Sequence, residues 1–193
     1  MADEHTSAGT TGARADALEL IASDHRAVEQ LFRALEAADP QSDIARATAE
    51  RIIRELSVHA TVEEEMFYPA LRTLPGGDSL ADHAVDEHQE LKELLASVDG
   101  KAVDDPDVRS TFARIRATVE THVADEESVL FGRMRELGEP RLMEMGSKME
   151  TAKKAAPTHP HPRAPNTPPG NVIAGLAAAA VDRVRDAIRS VRS

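Results

Sequence analysis

The chain has 193 residues, enough for one sizeable core, no cysteine, and 23 Lys and Arg against 34 Asp and Glu for a formal charge of −11. The missing cysteine excludes disulfides, iron–sulfur clusters and thiol chemistry and suits a reducing cytosol. The acidic balance argues against nucleic acid as the main partner, because phosphate contacts need clustered Lys and Arg.

Met1 to Ala13 is small and polar, without the apolar stretch of a signal peptide. No run approaches the roughly 18 apolar residues that cross a bilayer. A cytoplasmic protein without a transmembrane segment is expected. Apolar residues recur at three and four, the helical period. A first helix is predicted from about Arg14 to Ala38, ended by Asp39-Pro40. A second runs from Ser42, a plausible N-cap, to Leu74, stops at Pro75-Gly76-Gly77 and should kink near Pro69. A third runs from Asp78 to Val98, and a fourth from Pro106, capped by Asp105, to about Gly138. A shorter helical piece follows from Pro140 to Lys154. Four such helices on short loops predict an all-α, up-down-up-down four-helix bundle over 14–154, with its core in 17–137. The proline-rich stretch 155–170 reads as a linker, and 171–193 as an extra amphipathic helix with a stripe of Ile173, Leu176, Ala180, Val184, Ile188 and Val191. That stripe must bury itself on something, and docking on the bundle, in cis or in a homodimer, is favoured over lipid.

Polar residues interrupt the apolar seams at corresponding places. The first seam is Leu18, Ile21, His25, Val28, Phe32, Leu35; the second is Ile52, Leu56, His59, Glu63, Met66, Ala70. The third is Ala84, His88, Leu91, Leu95, Val98; the fourth is Val108, Phe112, Ile115, Val119, His122, Glu126, Val129. Any one of these could be a satisfied core histidine. Together they are costly, since each unsatisfied buried polar group costs roughly 1–3 kcal/mol and a domain is held by roughly 5–15. A metal turns the same groups into bonded ligands. In His59-Ala-Thr-Val-Glu63 and His122-Val-Ala-Asp-Glu126 the ligands are four apart, about 400° of helix, so the side chains lie nearly above one another. Such a glutamate can bridge two metals while its histidine caps one. Imidazole with carboxylate suits iron, with manganese and zinc as further options, and bridging carboxylates in a bundle core point to a redox-active pair.

His25 after Asp24, the stretch His59-Ala-Thr-Val-Glu63-Glu64-Glu65-Met-Phe-Tyr68-Pro69, Glu87-His88 and His122-Val-Ala-Asp-Glu126-Glu127 together resemble the haemerythrin-like, HHE cation-binding family over about Ala17 to Leu137. The linker and terminal helix look like extensions of actinobacterial members. The resemblance implies two non-haem irons, His25 and His59 serving one, His88 and His122 the other, and Glu63 and Glu126 bridging. Oxygen-carrying haemerythrins have a fifth histidine one turn before the third-helix ligand, where this chain has Ala84. His83 is five residues from His88, about 140° away on an ideal helix, and would need a local bulge. Glu87 is expected to face solvent. Glu127 is the alternative to Glu126 as bridge, since the oxygen carriers use a five-residue spacing there. Tyr68 could hydrogen-bond a ligand, coordinate iron or simply pack. His5 lies in the tail, and His159 and His161 are expected in a solvated linker.

By resemblance, a small diatomic or peroxide ligand is the partner. The function expected is binding, decomposing (with a catalase-like turnover) or sensing peroxide, oxygen or nitric oxide. Reversible oxygen storage and an iron-responsive interaction module are the alternatives. No catalytic residue separate from the metal ligands is identified.

Overall fold

The computed structural model describes residues 15–165 and 170–192, the side chains of 171–173 and 188–192 apart; His5 lies outside these. Helix α1 spans Ala17–Ala37 and opens with a capping box: Asp16 accepts from the Glu19 N–H while Glu19 accepts from the Asp16 N–H. Helix α2 spans Asp43–Val62, with Ser42 as N-cap. It continues through a π-helical turn, Glu63–Phe67, into α3, Tyr68–Leu71. Helix α4 is Gly77–Val98, and α5 is Pro106–Asp125 with Asp105 as cap. A second π-helical turn, Glu126–Leu130, joins α5 to α6, Phe131–Met134, and a 3-10 turn, Arg135–Leu137, ends that rod. Helices α7, Glu139–Lys153, and α8, Gly170–Arg192, complete the order. Gly76 (φ +73°) and Gly100 (φ +75°) make the left-handed turns before and after α4, conformations that side chains with a Cβ disfavour.

Two apolar clusters fix the topology. One gathers Val28 and Phe32, Ala49 to Leu56, Leu91 to Val98, and Val108 to Val119. The other gathers Ala17 to Ile21, Val62 to Leu71, Ala81 and Ala84, Leu130 to Met134, and Leu142 and Met149 of α7. Each long rod therefore runs from one cluster to the other, in alternating direction. This is an up-down-up-down bundle, with α7 closing one end. The four seam histidines sit in the layer between the clusters.

The π-helical turns correct the seams. Each shifts the helical phase by one residue. Phe67 and Leu71 are fully buried where Met66 and Ala70 were expected, and Leu130 is buried while Val129 is 45% exposed. Just past the first turn, Pro69 in α3 has no N–H to give back to that turn, which disfavours a regular α-helix there.

The terminal segment also departs from expectation. Among its described side chains, helix α8 docks on the bundle through Gly175, Ala179 and Asp182, while Leu176, Ala180 and Val184 of the expected stripe are exposed; Ile173, Ile188 and Val191 lie outside the described side chains. Leu176, Val181 and Val184 face outward, each more than 60% exposed. The linker is not solvated either: Thr158 and His159 are buried, and their N–H groups donate to Asp182 Oδ2 at 3.0 and 3.1 Å.

Candidate metal centre

His25, His59, Glu63, His88, His122 and Glu126 are all buried in the layer between the clusters. Their inward atoms form two overlapping groups, His25, His59, Glu63 and Glu126 in one, and His59, Glu63, His88 and His122 in the other. Within each, the donor atoms lie within 4.8 Å of one another. His59 Nε2 is 3.2 Å from Glu63 Oε2, and His88 Nε2 is 3.4 Å from the same oxygen. His25 Nε2 is 3.2 Å from Glu126 Oε2, and His122 Nε2 is 3.8 Å from it.

These donors do not satisfy one another. His88 Nε2 faces His122 Nε2 at 3.2 Å. His25 Nε2, Glu63 Oε1 and Glu126 Oε2 are buried without a hydrogen-bond partner among the described residues. The approach of His25 to Glu126 thus lacks the alignment of a hydrogen bond. Orphaned atoms converging from three of the four rods, beside the facing nitrogens of His88 and His122, are expensive without a cation and natural with one, so the donor set fits a metal bound by imidazole and carboxylate.

Protonation in the metal-free chain agrees. Burial, reinforced by the neighbouring His122 and His59, holds the His88 pKa well below the usual histidine range. Burial pushes Glu63 well above the carboxylate range, and the charge of Glu126 adds to this. Burial works the same way on Glu126, but the close approach of His25 and the charges of the neighbouring histidines outweigh it and lower that group to about 2. Glu63 is thus the glutamate whose charged form a cation would stabilise most.

The outward ring nitrogens are occupied. His25 Nδ1 is 2.8 Å from Glu127 Oε1, His88 Nδ1 is 3.2 Å from Glu64 Oε1, and His122 Nδ1 is 2.8 Å from Glu87 Oε2. His59 Nδ1 is 3.7 Å from Asp24 Oδ2, a longer ionic contact. Glu127 therefore stands behind His25, half-exposed, and does not replace Glu126 in the inner cluster. Glu87 turns inward toward His122 and is not simply solvent-facing. His83 is corrected too: its side chain is 67% exposed and pairs with Glu87 at 3.5 Å, outside the buried cluster, because the helix is regular there and no bulge turns it inward.

Tyr68 is fully buried in the centre. Its hydroxyl lies 3.1 Å from His88 Nε2 and donates to Glu63 Oε2 at 3.3 Å. Ala84, one turn before His88, packs in the same apolar cluster as Tyr68. The polar group on this side of the donor cluster is a phenol rather than a fifth imidazole. Sequence reasoning missed Glu64: it is buried, with Lys92 Nζ 2.6 Å from its second oxygen. The signal available was a lysine on α4 one helical turn after His88.

A cleft of about 670 Å³ opens between α1 and α5 and reaches His25 and Glu127, with Phe32, Val119 and Val123 on its wall. On the opposite side the linker covers Glu64 and Lys92, leaving a cavity of about 40 Å³ that Pro157, His159 and His161 help to line.

Comparison with known proteins matches the hemerythrin HHE cation binding domain over residues 16–165. An uncharacterised hemerythrin-like protein of Schizosaccharomyces pombe is 30% identical over 171 residues, covering 87% of this chain and 84% of that one. A DNA nickase of Nostoc is 31% identical over 118 residues, covering 61% of this chain and 33% of the nickase. In fold, the chain is similar to the crystal structure of a hemerythrin HHE cation binding domain-containing protein from Mycobacterium kansasii, with TM-score 0.64 and 22% identity over 72% of this chain and 86% of that one.

Proposed function

The chain belongs to the haemerythrin HHE cation-binding family, and from that premise we propose that it is a cytoplasmic non-haem di-iron protein that binds a small oxidant and decomposes or senses it. Peroxide, oxygen and nitric oxide are the candidate ligands. The observation that carries the reading is the set of inner-layer atoms left without partners, His25 Nε2, Glu63 Oε1 and Glu126 Oε2, beside the facing nitrogens of His88 and His122.

Bound iron would supply the redox change and the Lewis acidity. His25 and His59 would hold one ion, His88 and His122 the other, with Glu63 and Glu126 between them. The chain's remaining tasks are access, exclusion of water and placement of a proton. Access runs through the α1–α5 cleft, whose apolar wall admits small molecules as far as His25. The two apolar clusters close the layer from both ends. Burial holds the Tyr68 phenol well above its ordinary pKa, so its hydroxyl keeps its proton and stays a donor at Glu63 Oε2, beside any ligand in the centre. The test is optical spectroscopy of iron-loaded protein during peroxide addition, with oxygen evolution followed in parallel. Evolved oxygen supports turnover, a spectral change without turnover supports sensing, and neither would refute the oxidant reading.

One observation favours a second reading, a metal-dependent interaction module. The exposed apolar side chains Leu176, Val181 and Val184 on α8 give such a module a contact face, and a homodimer through α8 is one form of it. The nickase match covers a third of that protein, and with a charge of −11 the proposal does not extend to nucleic acid.

A further inference from the structure

The carboxylates behind the four histidines follow a rule that their separate distances do not reveal. Asp24 precedes His25 on α1 but contacts His59 on α2. Glu64 follows Glu63 at the end of α2 but contacts His88 on α4. Glu87 precedes His88 on α4 but contacts His122 on α5. Glu127 follows Glu126 at the end of α5 but contacts His25 on α1. None of these four serves the inner-layer histidine of its own helix. Each serves the next helix round the bundle, and the fourth returns to the first.

Helix geometry explains both the order and the alternation. Adjacent residues on a helix differ by about 100°, so a carboxylate next to a ligand points off the inner seam toward one flanking helix. Viewed from one end, a step back along an ascending right-handed helix and a step forward along a descending one turn in the same sense. Antiparallel rods therefore need the carboxylate before the ligand on α1 and α4, and after it on α2 and α5. This is the pattern of Asp24-His25, Glu63-Glu64, Glu87-His88 and Glu126-Glu127.

We propose that Asp24, Glu64, Glu87 and Glu127 form a closed outer ring of positioning residues. Glu64, Glu87 and Glu127 take the Nδ1–H of the histidine on the next helix, Asp24 faces that of His59 at longer range, and each so directs that histidine's Nε2 lone pair at the metal. A histidine that donates one ring N–H to a carboxylate is fixed in tautomer and orientation and is a more basic ligand. Because every contact crosses between helices, the ring also sets the rotation of each rod against its neighbour. The members are not equal. The Glu64 side chain is 4% exposed and held by Lys92, Glu87 is 19% exposed, Asp24 is 24% exposed at the longest distance, and Glu127 is 42% exposed at the mouth of the cleft. Glu64 and Glu87 should therefore matter most, and Glu127 least.

The proposal rests on the metal reading, and zinc alone can test it, as a diamagnetic probe with no turnover. The full chain, labelled with 15N at histidine, is loaded with zinc, the Nδ1–H resonances are assigned, and the dissociation constant is measured by chelator competition. Glu87→Gln should move the Nδ1–H of His122, on the next helix, while leaving that of His88, its sequence neighbour. It should weaken zinc binding roughly 10–100-fold. Glu64→Gln should act on His88 in the same way. Since Glu64 also binds Lys92, the Glu64→Gln/Lys92→Met double variant is measured beside it. Asp86→Asn, on an exposed residue adjoining Glu87, should change neither quantity. A change at the own-helix histidine, or unaltered zinc affinity in both Glu87→Gln and the folded double variant, overturns the ring and leaves the metal reading standing. A wild-type chain that takes up no zinc, iron or manganese overturns both.

Discussion

Replacing His159 with alanine should release the linker and α8 from the bundle without unfolding it. His159 Nδ1 lies 3.0 Å from Asp99 Oδ2 at the end of α4, and Nε2 lies 3.0 Å from Asp186 Oδ1 on α8. Arg185 pairs with the same Asp99 oxygen at 3.0 Å, Arg54 of α2 approaches Asp186 at 4.0 Å, and Asp182 takes the His159 N–H. Only the imidazolium can donate to both carboxylates at once. Hydrogen bonding to Asp99 is the leading cause of a raised His159 pKa; burial opposes it, and Asp186 adds to it. A raised pKa means that the stabilisation is fully present below about pH 6.5 and is lost as pH rises through the folded-state value. Hydrogen bonds to charged groups are worth about 1.5–3 kcal/mol each. Here Asp186 is one-third exposed and Asp99 keeps Arg185, so about 1–2 kcal/mol in total is a fair discount. Opening of the segment should then rise roughly 5–30-fold. Hydrogen exchange at the Thr158 and His159 amides, corrected for intrinsic rates, reads the latch directly, because both donate to Asp182. In wild type their protection should fall between pH 6 and pH 9. In the variant the Thr158 amide should start low and stay flat. Equal protection in the two proteins, or wild-type protection that is constant over this range, would refute the reasoning.

Other outcomes follow from the packing. Glu63→Ala should lose more metal than Glu64→Ala, since Glu63 lies in both donor groups while Glu64 acts through His88; equal metal content in the two would mean that the inner and outer layers are misassigned. Tyr68→Phe should keep the fold and the metal but alter the spectrum and peroxide response of the iron-loaded protein, and unchanged spectra would reduce Tyr68 to packing. Gly146→Ala should lower thermal stability by about 1–3 kcal/mol, because the new Cβ would meet the backbone leading into α1 at Ala15 O, 2.6 Å away. A melting temperature equal to that of wild type would show that α7 can shift freely.

The centre was legible because six polar side chains broke an apolar period at the same height on four helices. The phase beyond it was not. Nothing local announces a π-helical turn at Glu126, so Val129 looked like seam and Leu130 did not. The outer carboxylates were obscured by the rule that found the inner ones. A residue about 100° off the seam reads as surface until the neighbouring helix is in place, as Glu64 and Glu87 show. His159 was hidden for a different reason. Its partners Asp99 and Asp186 are 60 and 27 residues away, and a proline-rich stretch carries no periodicity to suggest burial. In α8 the stripe was legible, but which face docks was not. Asp182 and Asp186 answer the linker's N–H groups and histidines, and that polar match outweighs the apolar face.

The central claim is a pair of irons held by six side chains, and metal content tests it most directly. Full-length protein from iron-replete cells, analysed for all transition metals alongside protein concentration by amino-acid analysis, should carry about two irons per chain. The His88→Ala variant should fall well below that while remaining helical. Folded wild-type protein that holds only zinc, or a single metal per chain even after anaerobic iron loading, would contradict the account.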